Sequence, residues 1–163
     1  MKKITSLLLA VLLIAAFVLF AVGSGESETK TIDQGNGTTE KAEGDNTTFP
    51  VEILSCRLAK DYEGKPVVIV KYAFTNQEDK AESFMLAVTD NVFQNGVGLN
   101  ECIFVDESAN YSSDNQTKEV QKGVTLEVEV AYVLNDTTSD VTVELTKFIS
   151  LDETKVTKTF SIA

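Results

Sequence analysis

From residue 124 to residue 134 the chain sets a large apolar side chain at every second position: Val124, Leu126, Val128, Val130, Tyr132 and Leu134. Thr125, Glu127 and Glu129 stand between them. Strict period-two alternation puts one face of a strand in a core and the other in water. A helix would scatter the same residues around its axis. The stretch therefore predicts a long antiparallel strand, and the rest of the chain must supply strands that pack on it.

Several segments do so. Residues 51–58 form a candidate strand, with Val51, Ile53 and Ser55 on one face and Leu54, Cys56 and Leu58 on the other. In residues 66–76, Val68, Val70, Tyr72 and Phe74 form the expected core face, because the two aromatic rings carry the larger buried area. Val67, Ile69, Lys71, Ala73 and Thr75 alternate with them. Residues 82–93 fit a strand or a helical face. Strand is favoured, because Asn95-Gly96 is a hairpin-turn dipeptide and residues 97–104 can return beside it. Residues 141–146 and 156–162 alternate as well. About seven short strands separated by polar turns predict an all-β, two-sheet antiparallel β-sandwich, with the acidic and threonine-rich alternate faces in water.

The sequence divides into three parts. Lys2 and Lys3 precede an apolar run from Leu7 to Val22, and small residues at 21–23 make Gly23/Ser24 the expected cut. Residues 1–23 thus read as a secretory signal peptide, or as an N-terminal membrane anchor if uncleaved. Residues 24–48 are acidic and rich in Gly, Ser and Thr, with Ile32 as their one large apolar side chain. They predict a disordered linker. Residues 49–163 hold the folded domain, large enough for one core. Ser24 stands where a bacterial lipoprotein would carry its lipid-bearing cysteine.

Charge and composition exclude several functions. The formal net charge is −11, and removal of residues 1–23 takes two of the 14 basic residues, leaving 12 against 25 acidic and a charge of −13. Such a surface repels phosphate backbones, so no nucleic-acid partner is expected. It also repels anionic lipid, so any membrane contact is expected only through residues 1–23. The chain has no histidine, which removes the usual general base and the Ser-His and Cys-His nucleophile pairs. No cofactor is implied.

Some segments also resemble a known family. Residues 55–66 read Ser-Cys-Arg-Leu-Ala-Lys-Asp-Tyr-Glu-Gly-Lys-Pro, and residues 70–76 read Val-Lys-Tyr-Ala-Phe-Thr-Asn. With residues 93–96 (Phe-Gln-Asn-Gly) and 111–116 (Tyr-Ser-Ser-Asp-Asn-Gln), they resemble the domain of unknown function family five-zero-six-seven of Gram-positive exported proteins and lipoproteins. The resemblance spans about residues 49–162. It implies an immunoglobulin-like sandwich and export, and it brings no catalytic residues.

Four groups of residues are candidate sites. Cys56 and Cys102 suggest a disulfide in an exported protein. Closing its 45-residue loop would stabilise the fold by about 4 kcal/mol in the chain-entropy account. The alternative is two buried free thiols. Asp106, Ser108, Asn110 and Asp114 present oxygens at the spacing of a calcium loop, but Tyr111 replaces the turn glycine and Thr117 the bidentate glutamate. A solvated polar loop fits them better. Tyr62, Phe93 and Tyr111 lie in or near loops and could anchor a partner, as tyrosine does in binding hot spots. Paired carboxylates could serve a hydrolase, but nothing in their spacing singles out a pair.

The chain is therefore expected to be an exported, non-enzymatic module that binds a protein or cell-envelope component through loops at one end of the sandwich. An envelope hydrolase or metal-dependent enzyme, and a structural spacer, are the alternatives.

Overall fold

The computed structural model describes residues 31–32, 49–149 and 154–163. In chain order its strands are β1 (Thr31–Ile32), β2 (Val51–Lys60), β3 (Pro66–Thr75), β4 (Val88–Gln94), β5 (Val97–Gly98), β6 (Thr125–Val133), β7 (Val141–Lys147) and β8 (Lys155–Phe160). A single helical turn, α1 (Phe84–Ala87), precedes β4, and two 3-10 turns, Glu107–Ala109 and Asp114–Gln116, lie between β5 and β6. The expected signal segment 1–23, with its cut at Gly23/Ser24, lies outside the described residues. So does most of the expected linker. Within that linker, however, Thr31–Ile32 pair antiparallel with Arg57 and Cys56 of β2, so the sheet begins earlier than residue 49.

The strands form two antiparallel sheets, ordered β1-β2-β3-β6 and β5-β4-β7-β8. Strands β2, β3 and β6 take the places of A, B and E in an immunoglobulin-like sandwich, and β4, β5, β7 and β8 those of C, C′, F and G. The core lies between the sheets. Val68, Val70, Tyr72 and Phe74 of β3 and Val128, Val130 and Tyr132 of β6 meet Val88, Val92, Val143, Leu145 and Phe160. The long alternating strand is β6, as its period requires, but it lies at the end of its sheet and β3 takes the inner place.

Four expectations change on contact with the structure. First, β2 does not keep one inward face. Val51 and Ile53 point into the core, and then Cys56 and Leu58 do, because a bulge between Ile53 and Ser55 inserts a residue and reverses the phase. Lys158 of β8 donates to the Ile53 and Leu54 carbonyls at that bulge, at 3.2 and 2.9 Å.

Second, residues 82–93 divide. The helical turn α1 buries Phe84 one turn before Val88. The Phe84 ring stacks on Tyr72 at 5.1 Å and meets Phe74 edge-on at 6.2 Å. The hairpin at Asn95-Gly96 forms as expected, with both residues at positive φ (51° and 76°), the geometry of a type I′ turn.

Third, the returning strand stops at Gly98 and does not reach residue 104. The chain then crosses to the free edge of β6, where Val133 N–H donates to Asn100 O at 2.9 Å and Cys102 N–H to Ala131 O at 2.7 Å. Fourth, this crossing covers part of the outer face of β3 that was expected in water. Val67 and Ile69 are buried there with Cys102, Ala109 and Ala131.

The layers are also tied at the β6 edge, where Tyr132 donates its hydroxyl to the Asp90 carboxylate. Buried Gln94 fixes the loop before β7. Its Oε1 accepts from Asn135 and Asp136 N–H at 2.8 and 3.3 Å, and its Nε2 donates to the Asp136 and Ser139 carbonyls at 3.1 and 3.0 Å. Among the described residues, no helix is long and apolar enough to cross a membrane.

Candidate functional site

The β2–β3 turn is built on Asp61. This buried carboxylate accepts from the N–H groups of Glu63 and Lys65 through Oδ1, both at 2.8 Å. Gly64 takes a φ of +83°, which glycine adopts without steric cost. The turn thereby projects Tyr62 outward. The chain after β5 runs beside it. Tyr62 N–H donates to Phe104 O at 3.2 Å, Asp106 N–H to Lys60 O at 2.9 Å, and Asp61 bridges Val105. The Tyr62 and Phe104 rings meet edge to face at 5.9 Å and 85°.

These side chains remain in solvent although the backbone holds them. Tyr62 is 68% exposed, Phe104 66% and Ile103 77%. They line an open groove of about 890 Å³ together with Tyr111. Tyr111 is half-buried, and its hydroxyl accepts from Gln116 Nε2 at 3.2 Å. The wall beyond it is pinned to β6, where Gln116 donates to Glu129 O at 2.7 Å and Asn115 to Glu127 O at 2.8 Å. Arg57 adds a bidentate pair with Glu129 at 2.5 and 2.8 Å and a longer bond to Ala109 O. A groove so fixed presents apolar surface with little left to order on binding.

Two of the three expected anchors, Tyr62 and Tyr111, thus meet in one groove. Phe93 does not join them. It lies on β4, paired with Gly98 in the other sheet. Phe104 and Ile103, the other exposed members, were missed because residues 97–104 were assigned to a strand. One signal was available: residues 102–105 are four apolar residues in a row, more than one alternating face can bury.

The calcium-loop spacing is not realised. Asp106 Oδ1 accepts from Ser108 N and Oγ at 2.9 and 2.5 Å, capping the first 3-10 turn. Asn110 ends that turn in a left-handed conformation, and Asp114 N–H donates to Ser112 Oγ at 3.2 Å. Among the described residues, no three acidic or cysteine side chains gather to hold a metal.

The expected disulfide is not formed. Cys56 and Cys102 are both free and buried. Cys56 belongs to the core between the sheets and Cys102 to the cluster on the outer face of β3, so the backbone layer of the first sheet separates them. Burial pushes the Cys56 thiol up to about 12 against the pull of Lys158, which leaves an inert thiol.

Among the carboxylates, Asp90 and Glu101 share one neighbourhood. Burial raises both, and the charge of Asp90 raises Glu101 further. Asp90 is engaged by Tyr132. At the opposite end of the sandwich, Met85, Leu86, Phe148 and Ile149 are exposed, but residues 150–153 beside them lie outside the described set.

A family described as "Domain of unknown function (DUF5067)" matches residues 24–147, taking in the stretch expected to be linker. A search of curated proteins found no match. Among solved structures, a candidate lipoprotein from Staphylococcus aureus subsp. aureus NCTC 8325 is 15% identical with a TM-score of 0.49, the alignment covering 78% of this chain and 94% of that one.

Proposed function

This chain belongs to the DUF5067 family, and from that membership we propose that it works as an exported, non-enzymatic binding module of the cell envelope or extracellular space. The partner is a protein or an envelope component. The observation that carries this reading is the Tyr62–Phe104 pair, an edge-to-face aromatic contact held by backbone hydrogen bonds and left in solvent. A spacer gains nothing by ordering aromatic surface that it does not bury, whereas a binding surface does. The apolar run before Ser24 supports export. The absence of histidine, and the use of Asp61 and Asp106 as turn caps, support a non-enzymatic role.

A photo-crosslinking residue placed at Phe104 in the full chain, expressed in a Gram-positive host, tests this reading. The expected result is a discrete adduct that is absent when the same group replaces exposed Glu52. No adduct, or equal labelling at both positions, would overturn it. Hydrolytic turnover on envelope substrates that is lost in Asp90→Asn or Glu101→Gln would favour the hydrolase instead.

A further inference from the structure

We propose that the groove beside Tyr62 and Phe104 takes a cationic peptide segment of another protein, one that sets Lys or Arg side chains next to apolar ones. This inference rests on the binding-module reading and names the chemistry of the partner.

The argument comes from what the groove contains and what it lacks. Its apolar surface is Tyr62, Ile103, Phe104, Val105 and Tyr111. Asp106, Glu107 and Asp114 also line it, and no basic side chain does. The nearby cations lie at the margin. Lys65 pairs with Glu63 at 2.6 Å, and Lys60 attracts Asp106. Asp106 is held ionised by the Ser108 hydroxyl and N–H. Glu107 and Asp114 enter no ion pair among the described residues.

A neutral apolar ligand would cover the rings but would lose hydration at the carboxylates without replacing it. An anion would be repelled both by the groove and by the net charge of −11. A cation without apolar groups would leave the rings wet. A segment that alternates basic and apolar side chains answers both needs. Its ammonium or guanidinium groups can reach the carboxylates and also lie over the exposed faces of Tyr62 and Phe104. The charge term also steers encounter, so it shows as salt dependence.

The test is titration of the full exported chain with four synthetic peptides of equal length. One alternates Lys with Leu and Phe, one replaces Lys by Gln, one replaces Lys by Glu, and one is oligolysine. The expected result is that the first binds, weakens with rising salt, and outbinds each of the others by about tenfold or more. The double variant Glu107→Gln, Asp114→Asn touches only exposed side chains and should weaken the first peptide by about tenfold while the circular dichroism is unchanged. Phe104→Ala should do the same. The proposal is overturned if the Gln peptide binds as well as the Lys peptide, if oligolysine does, or if the double variant is indistinguishable from wild type. It is also overturned if the chain self-associates through Phe104, which would make a second copy the occupant. If the Lys peptide fails while an adduct forms at residue 104, the binding module stands and its cationic partner falls. If both fail, both fall.

Discussion

The Tyr132 hydroxyl on β6 donates to the Asp90 carboxylate on β4, so a single bond joins the two sheets at one edge of the core. The Tyr72 hydroxyl lies 3.5 Å from that of Tyr132. Burial raises the pKa of Asp90 above 3.8, with the Tyr132 bond opposing it. The folded protein therefore holds this proton more tightly than the unfolded chain. The stabilising contribution is fully present below pH 3.8 and is lost as pH rises through the folded value. Asp90→Asn keeps an acceptor for Tyr132 and removes the charge. It should stabilise the protein by about 1 kcal/mol at pH 7. Urea unfolding at pH 3 and pH 7 checks this, since the gap between variant and wild type should widen with pH. A gap of constant size would refute the assignment.

Lys158 gives the opposite edge its link. Its ammonium serves the Ile53 and Leu54 carbonyls at the bulge in β2, and it lies 5.0 Å from the centre of the Phe160 ring. Lys158→Met keeps the packing and removes the donor, so it should cost about 1–3 kcal/mol. An unchanged denaturation midpoint would mean that water serves those carbonyls equally well.

Both cysteines should stay unalkylated in the folded protein at pH 8. Burial raises the Cys102 thiol, and with the Cys56 thiol pushed up to about 12, only about one Cys56 in ten thousand is a thiolate. After unfolding, intact mass should show two alkyl groups added. A mass two hydrogens light, with no alkylation, would show that a disulfide forms after all.

Asp136 shapes the loop that Gln94 holds. Its carboxylate accepts from the N–H groups of Ser139 and Thr138 at 2.6 and 2.9 Å and from the Ser139 hydroxyl at 2.8 Å. These bonds lower its pKa from 3.8 to about 2. The stabilising contribution is therefore present above pH 3.8 and lost as pH falls through about 2. Asp136→Asn should unfold at lower urea than wild type at pH 7, and the two midpoints should converge near pH 2. A difference that persists in acid would place its cause elsewhere.

The parts of this fold that the sequence makes legible are those set by local alternation. Val68, Val70, Tyr72 and Phe74, with Val128, Val130 and Tyr132, point inward because period two leaves them no other arrangement. Asn95-Gly96 fixes its turn by backbone preference alone. The bulge in β2 is different. The side chain that satisfies it, Lys158, lies more than a hundred residues away in sequence. The groove was half legible for the same reason. Tyr62 and Tyr111 stand out as aromatics in polar turns, but Phe104 becomes a neighbour of Tyr62 only once the chain leaves β5 for the edge of β6. The two thiols suggested a bond because compartment speaks to pairing and not to which face of a strand each residue takes.

The loop that crosses after β5 has a further consequence for β3. Most antiparallel strands have one face that water reaches, yet Val67, Val68, Ile69 and Val70 are all fully buried, and β3 has a strand on each side. Solvent deuterons reach these amides only when the packing around β3 opens. Their exchange should therefore follow global unfolding rather than local fraying. Among the described strands, β3 is the slowest clock.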